Sequence, residues 1–407
     1  MNILLVSAEN NRLAGSVQSM AALASLLQER YGHNVLVVMP AEGNGTELLD
    51  QIGIRSTVVR SYQWSAPIKG RFRPDRLLKG EVKDIVTRLN ASQVAQVIRA
   101  HAADIVHINT SASPIGAYAA LATDTPLIWH IREFLEEDHG HAIRHRSRGY
   151  KLMARADRLV AISQSIYDKY EPIVGAEKLV LSENGIDPAK YACPPRDVLA
   201  GQHVRFLLVG GGQGKGHHVA IRACQLLLQR GFTDFELTLL GRFPESYQRE
   251  LEELCASVPG AAERISFPGA TDDTPAYYQA TDVFLMCSRA EAFGRVTVEA
   301  MMGGCLVIGA NTAGTADLID DGVTGYLFEN GDAEALAARI EFALANREQA
   351  RAVARAGQAH MLQNMTAEAN AAKVNALYAE VLRGGALQAD VIAFAPASAP
   401  AAPRRAA

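Results

Sequence analysis

The sequence has no long apolar run, no closely spaced cysteines and no excess of positive charge. No stretch approaches the ~20 apolar residues that a membrane-spanning helix needs. The five cysteines are far apart, so neither a CxxC pair nor a zinc-ligand spacing is present, and we interpret them as buried thiols in a reducing compartment. A formal net charge of −4 gives no general reason to expect binding of nucleic acid.

The amino terminus also lacks the features of a secretory leader. Residues 1–6 are MNILLV and are followed by polar Ser7, Glu9 and Asn10. A signal peptide needs a basic start and a longer apolar stretch. We therefore interpret this segment as a buried strand with its loop, and we expect a cytoplasmic protein.

Short apolar runs alternate with longer amphipathic segments along most of the chain. This alternation is typical of βαβ units, and therefore of a mostly parallel sheet with helices on both faces. The pattern stops at a segment rich in proline and glycine, 188–201, and then begins again. The predicted strands are 3–6, 34–39, 104–108, 126–129, 158–162, 204–209, 235–240, 264–267, 283–286 and 305–308.

The predicted fold class is therefore α/β, with two Rossmann-like domains that face each other across an interdomain cleft. The predicted bounds are 1–190 for the first domain and 200–365 for the second. A helix at 366–383 is expected to pack back on the first domain, and 384–407, rich in alanine and proline, is expected to be a disordered tail. In open α/β sheets ligands bind beyond the carboxyl ends of the strands, so residues that follow strands are the candidates for function.

The segment Glu291–Glu299 follows the predicted strand 283–286 and leads into a predicted helix that starts at Thr297. Its Phe293-Gly294 pair lets backbone approach a ligand closely. Two carboxylates beside a helix N-terminus can accept hydrogen bonds from sugar hydroxyls. The spacing alone also fits a surface loop with one helix-capping glutamate.

A glycine-rich segment, Gly210–Gly216, follows the predicted strand 204–209 and contains Lys215. Glycines at a strand-to-helix turn, with a lysine at the helix start, favour the binding of a diphosphate. Neither the P-loop motif nor GxGxxG fits these residues, and a flexible turn is the alternative.

Two weaker signals lie in the first domain. Gly15 and Ser16 end the loop after the first strand, where a backbone N–H group could face the cleft or simply begin a helix. His130 follows the predicted strand 126–129 and could face the cleft, as could His107 after its own strand. A structural histidine with satisfied hydrogen bonds is the alternative for both.

In this order and spacing, these segments resemble the retaining glycosyltransferases of the two-Rossmann GT-B architecture, glycosyltransferase family four. The most specific match is Ser288–Met301, which is similar to the family's motif of two glutamates separated by seven residues, with a Phe-Gly centre. Asn184–Asp187 resembles the family's signature at the end of the first domain. The similarity covers nearly all of residues 1–383.

The resemblance implies a role for each matching residue. The expected catalytic group is Lys215 at the diphosphate, Glu291 at the sugar and His130 positioning the sugar. Glu299 would bind the ribose hydroxyls. The other expected donor-binding residues, which would act chiefly through their backbone, are Gly15, Ser16, Gly210, Gly211, Gly241, Arg242, Phe293, Gly294, Arg295 and Val296.

One residue departs from the family pattern. The family often carries an arginine, a second cation for the diphosphate, at the position of Gly211. The diphosphate site would then either be weaker or be completed by another residue, such as Arg242 or Arg295.

The resemblance implies transfer of a sugar from a nucleotide-diphosphate sugar to a glycan or lipid-linked acceptor, with retention of configuration. Bacterial cell-surface polysaccharide or glycolipid synthesis is the expected setting, with no metal and with the nucleotide sugar as co-substrate rather than a cofactor. A nucleotide-sugar epimerase of the same fold is an alternative, although it would lack the glutamates around Phe-Gly. A non-catalytic nucleotide-sugar binding protein is another.

Two basic runs in the first domain suggest where the acceptor comes from. The first is 69–79, and the second runs from Arg144 to Arg158. Basic segments suit anionic membrane surfaces and lipid-diphosphate acceptors, so we expect peripheral contact with the inner face of the cell membrane. Ordinary charged helix faces are the alternative.

Overall fold

The computed structural model describes residues 1–68 and 74–384. The predicted tail from 385 onward and residues 69–73 of the first basic run lie outside this part of the chain. Within it, no helix combines the length and the hydropathy needed to cross a bilayer.

The first half of the chain alternates strands and helices. Its elements are β1 Asn2–Val6, α1 Gly15–Glu29, β2 Asn34–Met39, α2 Asn44–Gln51, β3 Arg55–Val58, β4 Ser65–Pro67, α3 Pro74–His101, β5 Ile105–Ile108, α4 Ile115–Thr123, β6 Leu127–Ile131, α5 Glu136–His139, β7 His141–Ile143, α6 Arg146–Met153, β8 Arg158–Ala161, α7 Gln164–Val174, β9 Leu179–Leu181 and α8 Pro188–Tyr191.

The second half repeats the alternation, and its described part, up to residue 384, ends in three consecutive helices. Its elements are β10 Val204–Val209, α9 His217–Gln229, β11 Phe235–Leu240, α10 Glu245–Ala256, β12 Ile265–Gly269, α11 Thr274–Ala280, β13 Val283–Met286, α12 Arg295–Met302, β14 Leu306–Ala310, α13 Ala313–Leu318, β15 Tyr326–Phe328, α14 Ala333–Ala345, α15 Arg347–Asn364 and α16 Ala367–Leu382.

Two parallel sheets organise these elements into two lobes. The first lobe holds a seven-stranded sheet in the order β3-β2-β1-β5-β6-β8-β9, and the second lobe a six-stranded sheet in the order β12-β11-β10-β13-β14-β15. A short antiparallel pair, β4 with β7, lies apart from both. The predicted α/β fold class with two Rossmann-like halves is therefore confirmed.

Each sheet reverses its strand order at one point, between β1 and β5 in the first and between β10 and β13 in the second. Ligands of open α/β sheets bind beyond the carboxyl ends of the strands at such a switch point. The loops after β1, β10 and β13 begin there. The loop after β1 leads to Gly15 at the start of α1, and the loops after β10 and β13 contain Lys215 and Glu291.

The last helix belongs spatially to the first lobe. Ala371, Val374, Leu377 and Tyr378 of α16 are at most 1% exposed and join the apolar cluster that covers β1 and β2. The chain enters this helix by crossing Gly185, where a Cβ would lie 2.4 Å from the Ala367 Cα. Gly185 therefore lets the two chain segments meet.

Candidate functional site

A cavity of about 880 Å³ lies between the two lobes, at the carboxyl ends of both sheets. The structure brings nine of the predicted site residues to its wall, and these come from both lobes. They are Gly15, Ser16, Lys215, Glu291, Phe293, Gly294, Arg295, Val296 and Glu299.

The loop after β13 turns into α12 at Gly294. Gly294 adopts φ +93° as the residue before the helix, a conformation that costs other residues strain. The helix begins at Arg295, two residues earlier than the sequence predicted. As a result, Arg295 and Val296, whose N–H groups begin the helix, both line the cavity.

Glu299 lies on α12 and is buried, with 5% of its surface exposed. The Tyr278 hydroxyl donates to Glu299 Oε2 at 3.0 Å, and an Arg295 Nη lies 3.4 Å from Oε1. Burial raises the pKa of Tyr278, and the charge of Glu299 raises it further. The tyrosine therefore stays protonated and holds one carboxylate oxygen in place.

Lys215 and Glu291 form an ion pair with an Nζ–Oε1 distance of 2.6 Å. Lys215 ends a short 3-10 turn, Gln213–Lys215, and Gly216 follows with φ +75°. A Cβ on Gly216 would lie 2.0 Å from the Cys287 carbonyl oxygen. This close approach brings the loop after β10 against the loop after β13, so that the lysine reaches the glutamate.

Four predicted donor-binding residues do not line the cavity: Gly210, Gly211, Gly241 and Arg242. A Cβ on Gly211 would lie 1.9 Å from the Arg242 carbonyl oxygen, and one on Gly241 would lie 2.6 Å from the Gly211 nitrogen. These glycines let the loops after β10 and β11 touch. A side chain at Gly211 would therefore meet backbone in this conformation, and Arg242 does not line the cavity to supply the second cation.

Arg295, the other expected replacement, lines the cavity and reaches across it. One Nη donates to Ser19 Oγ at 2.8 Å and the other to Gln18 Oε1 at 3.4 Å, both on α1 of the first lobe. A Cβ on Gly15 would lie 3.0 Å from Arg295 Cδ. The missing side chain of Gly15 therefore makes room for the arginine.

The prediction that His130 follows a strand and faces the cleft is wrong. Strand β6 continues to Ile131 because His130 pairs with Val160 and Ile131 with Ala161 of β8. His130 is 0% exposed and does not line the cavity. Its Nε2 has no hydrogen-bond partner among the described residues.

His130 belongs to a buried series of polar rings. His130 Nδ1 lies 3.1 Å from His107 Nε2, and His107 Nδ1 lies 2.6 Å from the Tyr378 hydroxyl. Burial, together with the charge of Arg132, lowers the pKa of both histidines, that of His107 to about 3. Both rings are therefore neutral at pH 7.

The sequence reasoning singled out neither Arg132 nor Glu133, although both line the cavity. Arg132 is 6% exposed, and burial lowers its pKa to about 9; Glu133 opposes this shift and Arg295 adds to it. Their position directly after β6 is the sequence signal that could have indicated a role in the site. That signal depends on knowing that β6 ends at Ile131 and not at residue 129.

Comparisons with known proteins agree with this architecture. The profile described as "Glycosyl transferases group 1" matches residues 204–360, and the profile described as "Glycosyltransferase Family 4" matches residues 13–190. Two Rossmann-like lobes facing across a cleft are the GT-B glycosyltransferase fold. The chain belongs to glycosyltransferase family 4, the group 1 glycosyltransferases.

Two curated relatives are 30% and 25% identical to the chain over the residues that align. The amylovoran biosynthesis glycosyltransferase AmsK of Erwinia amylovora is 30% identical over 207 residues, 49% of this chain and 50% of AmsK. The lipopolysaccharide core mannosyltransferase LpcC of Rhizobium leguminosarum bv. viciae is 25% identical over 278 residues, 63% of this chain and 78% of LpcC. The match thus spans half of AmsK and more of LpcC.

Solved structures show the same fold over nearly the whole chain. Anabaena HepE in complex with UDP is 24% identical with a TM-score of 0.77, covering 93% of this chain and 100% of HepE. WaaG, a glycosyltransferase involved in lipopolysaccharide biosynthesis, is 18% identical with a TM-score of 0.65, covering 94% of this chain and 100% of WaaG.

Proposed function

We propose that the protein transfers a sugar from a nucleotide-diphosphate sugar to a glycan or lipid-linked acceptor, with retention of configuration and without a metal. The observation that carries this proposal is the grouping of Lys215, Glu291 and Glu299 around the N-terminus of α12, at the switch point of the second sheet. Relatives named for polysaccharide and lipopolysaccharide core synthesis support bacterial cell-surface glycan assembly as the setting.

In the proposed complex, Glu299 accepts hydrogen bonds from the ribose hydroxyls, because its carboxylate is held at the wall by Tyr278. Lys215 leaves Glu291 and neutralises the diphosphate. Glu291 is then released to accept hydrogen bonds from the sugar. The Lys215–Glu291 ion pair of the free protein is therefore expected to break when the donor binds.

The proposed chemistry needs no covalent nucleophile. As the bond between sugar and diphosphate breaks, negative charge grows on the leaving oxygen, and Lys215 with the N–H groups of α12 stabilises it. The leaving diphosphate itself takes the proton of the acceptor hydroxyl. The two glutamates therefore differ from the acid and base pair of a glycosidase.

A thermal-shift screen of UDP-, GDP- and ADP-sugars tests the donor site. A ligand present at 100 times its Kd stabilises the fold by about 2.7 kcal/mol, so the true donor should stand out. We expect Lys215→Gln to remove most of this shift, with Lys83→Gln, which changes an exposed lysine of α3, as the matched control. Absence of any shift in the wild-type protein would contradict the proposal.

Product analysis separates transfer from the alternatives. With donor and an acceptor extract, ¹H NMR should show a new glycosidic bond with the anomeric configuration of the donor. An epimerase would instead convert the nucleotide sugar without acceptor, and a binding protein would leave it unchanged. We expect EDTA to leave the rate unchanged, and a lost rate restored by Mg²⁺ would contradict metal independence.

The acceptor side of the proposal rests on the surface of α3. Four large apolar residues of this helix are more than half exposed and recur every three or four positions, on one face. They are Leu78, Val82, Ile85 and Leu89. The exposed cations Lys79, Lys83 and Arg88 flank them. An apolar stripe edged by basic residues suits an anionic membrane surface.

The second basic run supports this contact less well. Arg144 is paired with Asp84, Arg146 with Glu136 and Arg158 with Glu380. These cations are therefore partly neutralised within the protein. Contact with a membrane is better assigned to α3 than to the segment from Arg144 to Arg158.

Flotation with phosphatidylglycerol-containing vesicles tests this surface. We expect the wild-type protein to float with the vesicles. The double variant Ile85→Ser/Leu89→Ser should float several-fold less, because each of the two substitutions removes exposed apolar area. Val323→Ser, which removes an apolar side chain of the second lobe that is also more than half exposed, is the control. Equal flotation of all three proteins would contradict the assignment.

A further inference from the structure

Arg132 is a buried cation whose hydrogen-bond partners are all neutral. Its Nε donates to Asn109 Oδ1 at 2.9 Å, and one Nη donates to Asn184 Oδ1. The other Nη lies 3.3 Å from His130 Nδ1. Arg132 is only 6% exposed but lines the cavity, and no carboxylate of the described residues pairs with it.

The neighbouring acid does not neutralise this charge by direct contact. The Glu133 carboxylate accepts from Thr110 Oγ1 at 2.7 Å and from Ser111 N and Oγ at 3.0 and 2.8 Å. Glu133 therefore favours the charge of Arg132 only from a distance, and the nearby cation Arg295 opposes it. A buried charge without a partner is costly unless a ligand supplies one.

The direction of each hydrogen bond around His130 follows from Arg132. A guanidinium only donates, so His130 Nδ1 must accept. His107 Nε2 then donates to the same nitrogen, and His107 Nδ1 accepts from the Tyr378 hydroxyl. Because both rings are neutral, His130 carries its proton on Nε2, and Tyr378 fixes the arrangement from the C-terminal helix α16.

We propose that Arg132, held by Asn109, Asn184 and the Tyr378–His107–His130 series, binds a phosphate oxygen of a ligand in the cleft. The inference rests on the proposed function, because it takes the cavity as the site of transfer. Phosphate is the favoured chemistry because a guanidinium matches its oxygens, and because the partners of Arg132 among the described residues are the neutral Asn109, Asn184 and His130. The donor diphosphate and a phosphorylated acceptor are two sources of the same group.

Isothermal titration of UDP, GDP and ADP into wild-type protein and Arg132→Gln tests the first source. Loss of a charge-assisted hydrogen bond should weaken the best-binding diphosphate about tenfold to 100-fold and leave the matching nucleoside unchanged. Arg205→Gln, an exposed arginine on β10 paired with Glu236, controls for the loss of charge.

Inorganic phosphate tests the second source. If the diphosphates bind both proteins equally, phosphate titrated into nucleotide-saturated protein should bind the wild type and not Arg132→Gln. Equal binding of both probes to both proteins overturns the proposal. If no nucleotide binds even the wild type, the proposed function fails. Titration of phosphate into the nucleotide-free proteins then still tests whether Arg132 binds phosphate.

Two measurements keep the inference testable if Arg132→Gln folds poorly. Tyr378→Phe retains Arg132 and should weaken the same affinity about twofold to fivefold, as one neutral hydrogen bond is lost. The ¹⁵N NMR spectrum of the wild type should show His130 protonated on Nε2. Protonation on Nδ1, or a Tyr378→Phe protein with unchanged affinity, would overturn the arrangement.

Discussion

The two walls of the cleft are built differently. The wall of the first lobe presents side chains that buried neutral partners fix in place, and buried Arg132 is one of its charged members. The wall of the second lobe presents the N-terminus of α12 and the Lys215–Glu291 ion pair, whose lysine is 31% exposed. The side chains of the first wall are therefore already fixed in the free protein. In the second wall, a ligand can replace Glu291 as the partner of Lys215.

The difference follows from how each wall is ordered. The first wall uses contacts between residues far apart in sequence, such as His107 with Tyr378. The second uses glycines that let neighbouring loops touch, Gly216 at Cys287 and Gly211 at Arg242. Changes at the second wall should therefore act through backbone geometry, and changes at the first through hydrogen bonding and charge.

The largest effect should come from breaking the backbone contact of the second wall with Gly216→Ala. The new Cβ would lie 2.0 Å from the Cys287 carbonyl oxygen at a φ of +75°, so we expect a loss of at least about 3 kcal/mol in the free energy of unfolding. Chemical denaturation measures it. Gly231→Ala is the control, because Gly231 also has a positive φ, +88°, but an added Cβ would meet no atom within 4 Å. It therefore measures the conformational cost alone, about 1 kcal/mol. Equal losses of unfolding free energy in the two variants would show that the contact between the two loops contributes little to stability.

Glu299→Gln changes a charge on the second wall while keeping its shape and the Tyr278 contact. We expect the best-binding nucleoside diphosphate to bind about 30-fold more weakly, about 2 kcal/mol, because a charged acceptor is lost. Calorimetric titration measures this change, with exposed Glu245→Gln of α10 as the control. Full donor affinity in a folded Glu299→Gln protein would remove Glu299 from the site.

Acidification should weaken the first wall. Because burial lowers the pKa of His107 to about 3 from an ordinary 6.5, the unfolded chain binds more protons than the folded chain between these values. The stabilisation is present above about pH 6.5 and is lost as the pH falls toward 3. From pH 7 to 5.5, His107 alone should account for about 1 kcal/mol. Urea unfolding at both pH values tests this, and His107→Gln should show a shallower pH dependence.

The smallest effect should come from the bond that joins the two walls. Ser19→Ala removes the hydroxyl that accepts from Arg295 across the cleft. We expect a change of no more than about 1 kcal/mol in the free energy of unfolding, because Gln18 remains as a partner. A loss above about 2 kcal/mol would mean that this contact holds the lobes together.

Much of the fold could be predicted from sequence because apolar runs and glycine-rich turns are local signals. The strands at 204–209 and 235–240 and the Glu291–Glu299 motif are of this kind. The end of β6 was not predictable in the same way, since it depends on pairing with β8. The burial of His130 and the position of Arg132 depend in turn on that pairing.

The crossing at Gly185 has a consequence for the order in which the protein can assemble during synthesis. The ribosome releases the seven strands of the first lobe early, but Ala371, Val374, Leu377 and Tyr378 complete its apolar cluster. The apolar cluster of the first lobe therefore stays incomplete until the entire second lobe has been translated. A nascent chain stalled before α16 should expose the apolar face of α1 and be a target for chaperones and proteases.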